Sequence, residues 1–204
     1  MQTPEHGPDK TSWLFTYPDT YEIGLPNAGL QILYEIINER PDAAAERSYA
    51  PWVDMEELLR REGLPLFSVD THKPAGELDI IAFNLSAELT YTNLVNCIDL
   101  AGVPIHSARR ADADPLIAVG GHCTYNPEPI ADFVDLVVLG DGEEVIGDIT
   151  DLVGAWKCNG KNAGTREGLL RELSKIEGVY VPSMYEVEYD GEFLAAVTPR
   201  YPDV

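Results

Sequence analysis

The chain has 204 residues, 45% of them hydrophobic, and its 35 acidic against 14 basic side chains leave a formal net charge of −21. That length suits one α/β core of the usual roughly 100–200 residues with a small appendage, and no apolar run approaches the ~18–20 residues needed to span a bilayer. A polyanion repels phosphate backbones and anionic headgroups, so neither direct nucleic-acid binding nor a membrane role is expected.

Residues 1–12 are polar with Pro and Gly, and are expected to be a mobile lead-in. Trp13–Tyr17 reads as a buried strand ended by Pro18-Asp19; a long loop to Pro26-Asn27 follows. Leu30, Leu33, Ile36 and Ile37 then recur at helical spacing until Pro41. Arg47–Tyr49 predicts a weak second strand, Asp54–Arg61 a short helix closed by Gly63, and Leu66–Val69 an edge strand. Asp79–Leu85 is a strong central strand, and Leu89–Ala101 a helix ended by Gly102. Leu116–Val119 leads into Gly120-Gly121, Pro129–Phe133 is a short helix, Leu136–Leu139 a strand and Glu143–Trp156 a helix. Lys157–Gly164 is a polar linker, Thr165–Ile176 an amphipathic helix, and 178–197 a hairpin turning at Asp190-Gly191.

Uniformly apolar strands alternating with helices predict a doubly wound, Rossmann- or flavodoxin-like parallel sheet with helices on both faces. A C-terminal helix and β-hairpin form an appendage. The expected division is 1–12 lead-in, 13–157 α/β domain, and 158–204 linker, helix and hairpin.

Ligands of such sheets bind beyond the carboxyl ends of the strands. Four loops qualify there. The first, Pro18–Gly29, is longer than an ordinary βα connection; Asp19, Tyr21, Gly24 and Asn27 are its candidate contacts, although a surface loop with a helix cap accounts for it equally well. The second, Ser86–Asn93, offers Ser86, Glu88 and Thr90 at a helix start, where capping is the plainer role. In the third, Gly120 and Gly121 remove side chains where a bulky ligand would meet backbone, followed by His122 and Thr124. A local hydrogen bond explains His122 better than metal ligation, since no second ligand lies at helical spacing. The fourth, Gly140, Asp141, Gly142 and Glu143, has neither the third glycine nor the lysine of a phosphate loop; its carboxylates suit a hydroxyl, amide or cationic partner, or simply a helix N-terminus.

Cys97, Cys123 and Cys158 lie far apart in no ligand spacing, so neither a disulfide framework nor a structural zinc site is suggested, and a reducing cytoplasmic compartment fits. Ser86 is in no G-x-S-x-G elbow, and no catalytic residue is assigned.

In order, Asn84-Leu85-Ser86, Ala118–Thr124 followed by Pro127-Glu128, and Val138–Glu144 resemble the amino-terminal cobalamin-binding domain of B12-type radical-SAM proteins. Tyr17–Gly24, Leu30–Tyr34, Glu88–Asn93 and Gly178–Ser183 are similar to an uncharacterised subgroup of them, so the resemblance spans nearly the whole chain. It implies a cofactor-binding module in which the loops after Tyr17, Leu85, Val119 and Leu139 surround cobalamin. Two departures stand out. The Asp-x-His-x-x-Gly motif that supplies a histidine to cobalt is absent, and Asp70–Gly76 imitates it with one residue too many after the wrong strand. No C-x-x-x-C-x-x-C trio occurs, so the 4Fe-4S cluster and S-adenosylmethionine are expected only in a separate domain. The sequence thus reads as a fragment, not catalytic by itself, whose partner is the C-terminal radical-SAM domain of the same polypeptide. The alternative is a ligand-free Rossmann-like docking domain.

Overall fold

The computed structural model describes residues 5–158 and 164–204. Its main sheet has the order β2-β1-β3-β4-β5-β6. The strands are β1 (Thr11–Tyr17), β2 (Ala43–Tyr49), β3 (Ile80–Asn84), β4 (Leu116–Gly120), β5 (Leu136–Val138) and β6 (Val179–Tyr180). The first five are parallel, and β6 adds an antiparallel edge through Val138 and Val179. The helices are α1 (Tyr21–Gly24, a single turn), α2 (Ala28–Asn38), α3 (Val53–Glu62), α4 (Tyr91–Leu100), α5 (Gly142–Cys158) and α6 (Arg166–Leu173). A separate two-stranded sheet, β7 (Tyr185–Asp190) and β8 (Phe193–Pro199), is the hairpin expected around Asp190-Gly191.

Side-chain alternation along β1 shows why both faces are covered. Trp13 and Phe15 enter a core with Leu30 and Ile37 of α2, Ile146 and Ile149 of α5, and Leu169 and Leu173 of α6. Leu14, between them, points into the opposite core with Ile81, Phe83, Ile117 and the α4 residues Leu94 and Ile98. The sheet is therefore a middle layer buried on both sides, the arrangement that apolar parallel strands require.

Several boundaries differ from expectation. β1 starts at Thr11 rather than Trp13, with Thr11 and Ser12 buried. His6 of the lead-in bonds the buried Glu46; residues 1–4 lie outside the described residues. β2 runs seven residues rather than three, because Asn38 brackets Ala45 with both amide atoms (2.9 and 3.1 Å) and Asp70 accepts from the Arg47 amide (2.7 Å). Leu66–Val69 is not a strand. Its amides go to different partners, Leu66 to Leu100, Ser68 to Lys73 and Val69 to Arg47, leaving one isolated bridge between Phe67 and Pro74. The segment instead covers the free edge of β2. Pro129–Phe133 forms only a 3₁₀ turn at Glu128–Ile130, and a similar turn at Glu88–Thr90 precedes α4. Most of the expected Lys157–Gly164 linker, residues 159–163, lies outside the described residues. Among the described residues no helix is long and apolar enough to cross a membrane.

One buried ionic cluster ties the sheet together. Asp135 (3% exposed) accepts from Arg110 at 2.7 Å, from Arg166 at 3.0 Å and from the Ile117 amide at 2.7 Å. Arg166 also donates to the Asp114 and Pro115 carbonyls, locking the start of α6 against the loop that enters β4.

Candidate functional site

The strand order reverses at β1: the chain leaves β1 for β2 on one side and reaches β3 on the other. α2 follows β1 on one face while α4 follows β3 on the opposite face. Their loops diverge and leave a crevice at the carboxyl edge, the switch point where such folds bind ligands. A cavity of about 480 Å³ opens there, within the roughly 300–1,000 Å³ of small-molecule sites.

The cavity is a slot between the sheet and the α2–α5 layer. Trp13 and Phe15, stacked at 5.4 Å, form its floor, with Leu30 and Leu33 of α2 and Ile146 and Ile149 of α5 as walls. Its mouth is polar. Asn27 caps α2 by accepting from the Leu30 amide (2.8 Å), Asn84 reaches the same Asn27 oxygen at 3.4 Å, and the Ser86 hydroxyl donates to Asn84 at 2.9 Å. These three residues hold one another in a ladder from the first loop to the second.

Glycine is required opposite that ladder. Gly121 has φ +107°, and a Cβ there would sit 2.7 Å from the Leu85 carbonyl oxygen. The close approach lets the Cys123 amide donate to Leu85 (3.1 Å) and the Leu85 amide to Gly120 (2.7 Å), stitching the ends of β3 and β4 together. Gly140 has φ +100° with open space beside it, and Gly142 lies against Leu33.

Of the residues expected from the sequence, Asn27, Ser86, Gly120, Gly121, His122, Gly140, Asp141, Gly142 and Glu143 all line this one cavity. Six others have local roles outside its lining. Asp19 accepts from the Thr20 amide (2.7 Å), Tyr21 packs edge-on to Tyr49 at 5.1 Å, and Gly24 fits between Tyr49 and Tyr17. Glu88 stands exposed beside Cys123, whose thiol is pushed up by burial and by that carboxylate. Thr90 donates to Ala87 (2.7 Å), and the single hydroxyl proton of the buried Thr124 is shared between the carbonyls of Gly121 (2.7 Å) and Val138 (3.1 Å), tying the third loop to the end of β5. Sequence reasoning missed Asn84, Tyr125 and the apolar walls. Leu33 and Ile146 carry helical periodicity, but a side chain facing a slot has the same signature as one facing another side chain.

His72 is far from the slot in function. It has φ +61° and packs on Phe67 at 5.7 Å, in the segment that covers the β2 edge, and it does not line the cavity. The neighbouring Asp70 pairs with Arg47 at 2.6 Å, and Arg47 lies 4.6 Å over the Tyr34 ring. The Asp70-x-His72 pair is thus part of an edge-sealing cluster. Among the described residues no group of three or more His, Cys, Asp and Glu could hold a metal ion.

The family model described as radical SAM proteins, N-terminal, matches residues 29–182. The chain belongs to that family. The matched span covers the loops after β3, β4 and β5 and ends beyond β6, leaving out β1 and the hairpin. Family membership implies S-adenosylmethionine and a 4Fe-4S cluster for the parent protein. A search of curated proteins returned no match.

Proposed function

We propose that this radical-SAM N-terminal domain is a corrinoid-binding module that holds cobalamin in the slot between α2, α5 and the sheet. The observation that carries the reading is the slot itself: an apolar cleft of about 480 Å³ at the switch point, with side-chain-free backbone at Gly120, Gly121, Gly140 and Gly142. A flat aromatic base fits walls of Leu30, Leu33, Ile146 and Ile149 over Trp13 and Phe15. The mouth suits an amide-rich macrocycle, because Asp141 and Glu143 accept hydrogen bonds from amide N–H groups while the Asn27–Asn84–Ser86 ladder both donates and accepts. His72 supplies no ligand to cobalt, since it lies outside the slot. Bound cobalamin would supply a methyl group or an electron sink to a catalytic domain; this chain's share is to position it and exclude water.

The test is a titration of the purified chain with hydroxocobalamin, followed by gel filtration. Retention of a red chromophore at one equivalent, lost in Leu33→Trp and in Ile146→Trp, is the expected result. No retention by the wild-type chain at high micromolar concentration overturns the reading. It would favour a ligand-free docking domain, a second reading supported by the lack of any lysine or arginine among the described residues that line the slot, where the phosphate of the nucleotide tail would sit.

A further inference from the structure

The slot changes character along its depth. At the mouth Asn27 and Asn84 are half-buried, and Ser86, His122, Asp141 and Glu143 are exposed. At the closed end lie Trp13, Phe15, Leu30, Ile146 and Ile149, none of them more than 3% exposed. The only polar side-chain atom among these five is the Trp13 indole nitrogen, and its proton is already engaged. It donates to the Thr150 hydroxyl at 3.0 Å, and that hydroxyl donates in turn to the Ile146 carbonyl at 2.6 Å. The backbone of Ala82 and Ala118 is taken up by pairing within the sheet. Among the described residues, the closed end therefore offers hydrocarbon and aromatic faces and no free side-chain donor or acceptor.

A heteroaromatic ring that enters such an end buries its polar edge without a partner, and this costs free energy because water is lost and nothing replaces it. Bases differ in how much they lose. In adenine the six-membered ring carries nitrogen acceptors and an amine, so the part that enters first is the part that needs partners. In dimethylbenzimidazole that ring carries only carbon and its methyl groups. The free ring nitrogen lies on the five-membered ring, on the side of the sugar, and stays with the Asn27–Asn84–Ser86 ladder at the mouth. We propose that the slot selects its ligand by the base, accepting a benzimidazole-type ring with a hydrocarbon outer edge and rejecting purines. The same chemistry keeps out the adenine dinucleotides that other doubly wound sheets hold at their switch points. The proposal deepens the corrinoid reading and rests on it for the identity of the whole ligand, whereas the preference for the base rests on the slot alone.

Calorimetric titration of the 204-residue chain with two matched pairs tests it. One pair is hydroxocobalamin and its analogue with adenine in place of dimethylbenzimidazole; the other is dimethylbenzimidazole riboside and adenosine. In each pair the benzimidazole member should bind more tightly by roughly tenfold to a hundredfold, the range over which an apolar pocket discriminates. Leu33→Gln, at a half-buried position of the wall, and Ile146→Asn each bring an amide to the slot and should shrink that ratio. Equal measurable binding within either pair, or tighter binding of an adenine member, overturns the selectivity. A ratio that neither substitution changes overturns it too, as does failure of all four probes to bind. Discrimination within the corrinoid pair alone upholds both readings. Discrimination between the ribosides without retention of either corrinoid removes the corrinoid reading and leaves a benzimidazole-type site standing.

Discussion

Gly121→Ala tests the local physics of the site. At φ +107° and ψ −179° an L side chain is strained by about 1–3 kcal/mol. The new methyl would also sit 2.7 Å from the Leu85 oxygen and 3.1 Å from its carbon and nitrogen, all of them backbone that no rotamer change can move aside. Relief requires the β3 and β4 ends to part, which removes the Leu85-to-Gly120 and Cys123-to-Leu85 hydrogen bonds at about 1 kcal/mol each. The total is about 3–5 kcal/mol. Gly140→Ala is the internal control, because φ there is +100° but nothing lies within 4 Å of the added carbon, so only the strain remains. Urea denaturation of both variants should place Gly121→Ala about 2 kcal/mol below Gly140→Ala, a further loss of about 4–8 °C in Tm for a chain of this size. Equal stability of the two variants would refute the argument that the third loop is shaped by contact with β3.

Asp135→Asn should cost about 3–5 kcal/mol, because it leaves Arg110 and Arg166 buried without their counter-charge; equilibrium denaturation reads the loss, and a change under 1 kcal/mol contradicts it. A pH prediction concerns Glu46. Burial alone would raise its pKa, but hydrogen bonds from Ser68, Thr71 and His6 outweigh burial and hold the carboxyl below its usual value. The folded state then binds its proton less readily than the unfolded state, so this contribution is complete above the ordinary glutamate pKa of about 4.3 and is lost as pH falls through the lower folded value. Glu46→Gln should therefore flatten the acid limb of a stability profile below about pH 4.3, with its largest deficit near neutrality; an unchanged acid limb rules the linkage out.

How much was legible in the sequence depended on whether a feature was local. Asn27 capping α2, the uniformly apolar β3 and β4, and the Asp190-Gly191 hairpin were readable because their causes lie within a few residues. The Leu66–Val69 segment was misread for the opposite reason. Its apolar residues fit a strand, but its amides are claimed by Leu100, Lys73 and Arg47, partners no local pattern reveals. Val179 and Tyr180 were expected inside the 178–197 hairpin, but they form β6 by pairing with β5, and the hairpin starts only at Tyr185; two residues are too short for periodicity to tell the two apart.

The sequence by itself determined the layered α/β architecture, since alternation of apolar strands with amphipathic helices has few packed solutions. It also marked the loops that carry Asn27, Ser86, Gly120, Gly121 and Gly140, because glycine and capping residues leave a signature in the one-dimensional string. Only the tertiary structure decided which of those loops converge. Strand order brings the ends of β1, β3, β4 and β5 around one slot, while Asp19, Tyr21, Glu88, Thr90 and Thr124 turn to local bonds or to packing. It alone separated His72 from the slot, because the segment bearing it seals the edge of β2. Strand order follows from the packing of the whole chain and is written in no single loop.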